Sequence, residues 1–384
     1  MKNLQTIYTI RKSALIILLW MVFMNTAGSQ PKDTVQTEQK KVNFIALPMY
    51  DYRPVLEHSI AVFGKAIVTL DKEQQFISDI LISKSFNNPS YMGQLKNEFY
   101  FNGWRFALNA TLMKQVNRMP SRSLGIASDD LFGTEMKMGY VQAFAKRQLS
   151  HRFYGGLGLE WSFMGDYCMN FSEITDQNLE NTTLTYKMLQ PIVTFEYDSR
   201  DNVVYPTSGF YITNQTNFIS DTFGSTIERL GPELQPIENR DYFFAKNIMR
   251  ATYYASLDGT WKSVLATRYG MRVGLGEVPV SMWENANNWV RGYKEGKYAG
   301  KQLHFLDMEW RKYVTNRLGF AVFGTAGFVG NSIDDTFSSS GFIPSGGAGI
   351  RLRLMKSKPV AFRFDYAVGK KGENSVYFAL TEYF

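Results

Sequence analysis

The chain has 384 residues and a formal net charge of +7, with basic and acidic residues scattered rather than blocked, so it carries no basic tract suited to nucleic acid. Its one cysteine, Cys168, excludes an intramolecular disulfide. With 45% hydrophobic and 15% aromatic residues, and no later apolar run long enough for a membrane helix, two classes remain: a large soluble all-β protein or a membrane β-barrel.

Along the chain, Lys2, Arg11 and Lys12 flank the apolar run Ala14 to Met24, and the small residues Ala27-Gly28-Ser29 follow it. That run is shorter than the roughly 20 residues a membrane helix needs, and polar residues come next, so 1-29 reads as a signal peptide rather than a retained anchor. Residues 30-41 read as a short periplasmic tether, and 42-384 as the barrel. From Val42 onward the dominant period is two, and about sixteen segments can be counted, from 43-51 and 57-69 to 359-369 and 375-384. Val193, Phe195 and Tyr197 share one face of their segment, opposite Thr194, Glu196 and Asp198. Further on, Leu306, Met308 and Trp310 oppose Asp307, Glu309 and Arg311; Ile350 and Leu352 oppose Arg351 and Arg353; Phe362, Phe364 and Tyr366 oppose Arg363 and Asp365. Asn102-Gly103 and Asp258-Gly259 mark tight turns, while 116-133, 167-183, 221-240 and 277-300 read as longer loops, with Cys168 in one of them.

Alternation alone does not separate a sandwich, whose charged face meets water, from a membrane barrel, whose charged face lines the lumen. The export signal, the aromatics near strand ends and the terminal strand ending in Phe384 decide for an all-β transmembrane antiparallel barrel in the outer membrane of a Gram-negative bacterium, with lipid as its first partner. On that last strand Glu382 interrupts an apolar face of Val376, Phe378 and Leu380. The cluster Gly346, Gly347 and Gly349 opens another strand and relieves crowding inside the wall.

Two segments go beyond generic barrel features. Asp198-Ser199-Arg200-Asp201-Asn202, followed by Tyr205-Pro206-Thr207-Ser208-Gly209-Phe210, ends one strand, turns and opens the next. Asn288-Trp289-Val290-Arg291-Gly292-Tyr293 lies in the longest loop, ahead of the strand with Glu309 and Arg311. Together with Gly347-Ala348-Gly349-Ile350-Arg351 and Arg363-Phe364-Asp365-Tyr366, they make the chain resemble the BamA/TamA superfamily of outer-membrane assembly factors, over the stretch from Thr194 to Phe384.

That resemblance implies sixteen strands and a long loop folded into the lumen, its Arg291 meeting acidic residues of the inner wall. Glu309 matches the acidic position of the following strand. Thr325 stands where the family carries an inward Asp on the strand after. The resemblance therefore implies a loop held by Glu309 alone unless Asp307 or Asp365 substitutes, since an unpaired buried charge costs several kcal/mol. The family's POTRA modules have no counterpart in 30-41, so a client polypeptide would be received through a separate periplasmic partner or by the barrel itself.

The leading functional expectation is help in inserting or translocating polypeptides at the outer membrane. The mechanism would be a seam between the first and last strands. The alternative is a passive or plugged channel for small solutes, with the inward Asp307, Glu309, Arg351, Arg353, Arg363 and Asp365 setting selectivity. An enzyme is disfavoured: His58, His151 and His304 lie near no convincing Ser and Asp set, no cluster has metal-ligand spacing, and no phosphate loop is present, so no cofactor is expected.

Overall fold

In the computed structural model the described residues are 41-53, 57-69, 74-120, 131-170, 182-202, 205-223, 226-230, 243-278, 282-293, 298-353, 361-380 and 382. The expected signal peptide and nearly all of the expected tether lie outside them; Lys41 already belongs to the first strand. The β-branched and aromatic segments form β1 (Lys41–Arg53), β2 (Glu57–Thr69), β3 (Gln75–Ser85), β4 (Tyr91–Phe101), β5 (Trp104–Pro120) and β6 (Leu131–Ser150). They continue as β7 (Phe153–Asn170), β8 (Thr182–Asp198), β9 (Gly209–Ser220), β10 (Thr226–Leu230), β11 (Phe243–Ser256) and β12 (Ser263–Gly276). Two-residue strands β13 (Glu284–Asn285) and β14 (Ala299–Gly300) pair only with each other. The wall resumes with β15 (Gln302–Tyr313), β16 (Leu318–Gly330), β17 (Phe342–Arg353), β18 (Ala361–Gly369) and β19 (Asn374–Leu380).

The wall is an antiparallel meander. Each strand pairs with its predecessor from β1 to β9, β11 takes the other edge of β9, and β12 and β15 to β19 follow in order. The short β10 continues the line of β9 and pairs with the upper part of β8, Thr226 opposite Lys187. Counted as one interrupted stave, β9 and β10 bring the barrel to sixteen staves among the described residues, in line with the about sixteen period-two segments. β19 returns beside β1, although no ladder between them is found among the described residues.

The lipid decides which face is oily. On β15, Leu306, Met308 and Trp310 are 45%, 47% and 39% exposed, whereas Asp307, Glu309 and Arg311 are 0% exposed. The apolar side chains therefore stand outward, where hydrocarbon replaces water, and the ionic ones are enclosed. Aromatic rings gather at both ends of this belt. Trp104 and Phe106 stack at 5.7 Å and Phe210 lies 4.5 Å from Tyr253 near one rim; Phe328 lies 5.3 Å from Phe337 and 5.1 Å from Phe342 near the other.

The rims differ. Short links such as those between β4 and β5, β6 and β7, and β15 and β16 share one rim with the first residue of β1 and the end of β19, and this is the periplasmic side by the usual asymmetry of such barrels. The longer connections lie on the opposite, outer rim. There the structure corrects three of the loops expected from sequence: β5 to β8 run 17, 20, 18 and 17 residues, so 116-120, 131-133, 167-170 and 182-183 are paired strand, and β10 occupies part of 221-240. Cys168 accordingly belongs to strand β7, opposite Glu135 in register, not to a loop.

Candidate functional site: the loop in the lumen

The connection between β12 and β15 turns inward instead of away from the barrel. Val278 and Met282 on its first arm join Met164, Met188, Ile219 and Phe244, inward residues of β7, β8, β9 and β11, in a buried apolar cluster. Met136, Met138, Tyr186 and Trp283 pack against it. Next, Glu284 receives Lys246 at 2.7 Å and Arg272 at 2.6 Å, fixing the β13–β14 hairpin to β11 and β12. A 3-10 turn over Ala286–Asn288 follows, closed by Val290 N donating to Ala286 O at 2.8 Å.

The tip Val290-Arg291-Gly292-Tyr293 is buried. Arg291 Nη1 donates to Glu309 Oε2 at 2.8 Å and to Asp365 Oδ2 at 3.0 Å, and its guanidinium lies 3.3 Å from the Phe323 ring centroid. Asp365 thus stands in for the acid that Thr325 does not provide. Arg351 joins the same carboxylates, reaching Asp365 Oδ1 at 2.5 Å, Glu309 Oε1 at 3.3 Å and Glu382 Oε2 at 2.7 Å. Arg311 Nε donates to Glu309 Oε1 at 2.8 Å, and Arg363 Nη1 lies 3.3 Å from Asp365 Oδ2. Four guanidiniums therefore surround three carboxylates in a region closed to water, where each charge is tolerated only because the others are present. Gly349 makes room for this: a Cβ there would run into the Asp365 carboxylate.

Gly292 and Tyr293 lock the tip. Gly292 has φ +96°, and a Cβ on it would stand 2.9 Å from the Val368 carbonyl carbon, so the residue must be glycine both for conformation and for space. Its N–H donates to the Tyr377 hydroxyl at 2.8 Å. The Tyr293 hydroxyl donates to Pro344 O and accepts from Lys370 N at 3.1 Å, tying the tip to β17 and to the turn after β18.

The remaining residues singled out in the sequence fall elsewhere. Asp307 and Thr325 bond each other, and Asp307 accepts from Arg268 Nε at 2.9 Å; Arg268 Nη2 reaches Trp289 O at 3.4 Å, so this pair braces the loop one step before its tip. Arg353 faces inward but stands near the periplasmic rim, 4.2 Å above the Trp261 ring, apart from the Arg291 group. In the turn motif Arg200 grips Asp198 with two bonds of 2.9 and 2.8 Å, Asp201 accepts from Thr207 N at 2.9 Å and Ser208 N at 3.1 Å, Pro206 is buried beside Tyr205, and Gly209 opens β9. Partial burial pushes the Asp201 carboxyl up, but these donors outweigh it and hold the group below its ordinary range.

Sequence reading misplaced Glu382. β19 ends at Leu380, and beyond it the alternation no longer applies, so the carboxylate turns to Arg351 instead of interrupting the lipid face. It overlooked Arg268, although Val264, Ala266 and Arg268 share the inward parity of β12. Tyr377 was open to the same argument from β19.

No protein-family model and no curated protein sequence matches the chain. Among solved structures, BamA from Haemophilus ducreyi lacking POTRA domains 1-3 is similar at TM-score 0.54 and 13% identity, covering 89% of this chain and 70% of that one. CdiB from Acinetobacter baumannii (TM-score 0.54, 9% identity, 89% of this chain and 60% of that one) and CdiB from Escherichia coli (TM-score 0.54, 11% identity, 92% and 63%) are similar as well. The chain therefore spans less than two thirds of the length of either CdiB chain. At these identities the likeness is one of fold. With its inward loop, oily exterior and sixteen-stave meander, the chain has the transmembrane β-barrel fold seen in BamA and CdiB.

Proposed function

We propose that this barrel assists the insertion or translocation of polypeptides at the outer membrane, without enzymatic chemistry, by opening a seam between β1 and β19. One observation carries the proposal. β1 has 13 residues and β19 seven, and they lie side by side with no ladder between them among the described residues, while the strands between them pair in unbroken sequence. Unpaired backbone groups at the level of hydrocarbon are costly, and an edge that carries them is a template for another strand. An extended client segment, delivered by a separate periplasmic partner or engaging the barrel directly, would supply those hydrogen bonds. Cysteines placed along β1 and β19 in a Cys168→Ser background test this. The bridged protein is expected to lose the support of outer-membrane assembly that the reduced protein gives; equal support in both states sinks the seam.

The pinned loop favours a second reading, a plugged channel for small solutes. In planar bilayers a plug held by Arg291 gives silence or brief flickering, whereas steady large conductance from the unaltered protein would mark an open pore.

A further inference from the structure

Away from the loop, at the periplasmic end of the lumen, a cavity of about 200 Å³ is lined by residues of β4, β5, β6, β8, β9 and β11 and of the turn after β8, among them Arg105, Lys146, Glu196, Arg200, Tyr211 and Arg250. Its charges do not balance. Glu196 is shared by Arg105 and by Lys146, the latter at 2.7 Å, and Arg200 is occupied by Asp198. Glu98 accepts from the Tyr100 hydroxyl at 2.5 Å. Arg250 forms no ion pair with these acids among the described residues: its guanidinium lies 5.6 Å from the centroid of the Tyr211 ring, and Arg200 lies 3.8 Å from the same ring. Arg105, stacked 4.0 Å over Tyr154, keeps its Nε buried with no acceptor among the described residues. Among the described residues, a cation without a carboxylate and a buried donor without an acceptor thus line one small cavity, walled by tyrosine rings that hold the guanidiniums in place.

We propose that this cavity binds a single small oxyanionic group, a carboxylate or a phosphate, with Arg250 as its principal ligand and Arg105 as a second donor. The planar fork of a guanidinium matches either group, and the cavity admits only a compact one. This inference does not depend on the seam.

The test is isothermal titration of inorganic phosphate into the full-length protein in detergent. One site is expected, weakening as salt rises. Because Arg250 makes no ion pair among the described residues, Arg250→Gln should fold as the unaltered protein does and bind about tenfold or more weakly, the range of one lost charge-assisted hydrogen bond. Arg353→Gln, outside the cavity, should bind normally. A short peptide bearing one Glu, compared with its Gln analogue, separates the sources. Preference for the Glu peptide identifies an acidic side chain of a polypeptide, and no preference alongside phosphate binding identifies a free anion. The proposal is overturned if Arg250→Gln binds phosphate as tightly as the unaltered protein, or if the folded barrel binds neither phosphate nor the Glu peptide.

Discussion

One loop is seated in the lumen twice, by opposite means. Its first arm sinks Val278 and Met282 into methionines and aromatics of the β6–β11 wall, while its tip delivers Arg291 to carboxylates of the β15–β18 wall. The apolar seat is non-directional, and unbranched methionines fill irregular gaps, so small shifts of the arm cost little. The ionic seat is discrete, because its charges are closed to water and must meet partners at hydrogen-bond distance or remain desolvated and unpaired. A loop held this way is expected to have one adaptable end and one that is either docked or released.

Substitutions can break that contrast or sharpen it. Glu309→Ala, which removes the carboxylate shared by Arg291, Arg311 and Arg351, should lower stability most, by about 3–5 kcal/mol in urea unfolding of the detergent-solubilised barrel. Met188→Ala, which hollows the apolar seat, should cost roughly 2–3 kcal/mol, toward the low end for a methionine truncation because neighbouring methionines can move in. Gly292→Ala tests the tip's geometry without touching a charge. A cost of about 1–3 kcal/mol is expected, with the tip released to protease or to thiol labelling of a reporter cysteine. Met282→Leu should change stability by less than about 1.5 kcal/mol and leave the tip protected. Should Met282→Leu release the tip as fully as Gly292→Ala does, the two seats are not separable.

Strand parity made much of the architecture legible. Hydrocarbon outside and charge inside enforce a period of two, so the sequence alone sets Leu306, Met308 and Trp310 against Asp307, Glu309 and Arg311. Parity places a residue on a face but does not say which residue it meets across the lumen. Arg291 and Asp365 are 74 positions apart, and only closure of the wall makes them neighbours. It also fails where strands end, as at Glu382, and where the lumen is itself oily. Met136, Met138, Met164 and Met188 occupy inward positions that the alternation would reserve for polar side chains, and they do so because the loop covers them. The outer extensions of β5 to β8 were hidden for another reason: polar strand ends such as 182-183, next to other polar residues in sequence, look like loop even when their backbones are paired.

Those extensions make the barrel lopsided. A strand of 20 residues such as β6 measures about 66 Å along its axis, or roughly 50 Å in height at the tilt typical of such walls, against a hydrocarbon slab of ~30 Å. The surplus stands as a stiff parapet over one sector, whereas the strands from β15 onward stop after 13 residues or fewer. Among the described residues, the outer mouth is therefore walled higher on the β5 to β8 side than on the side of β15 to β19.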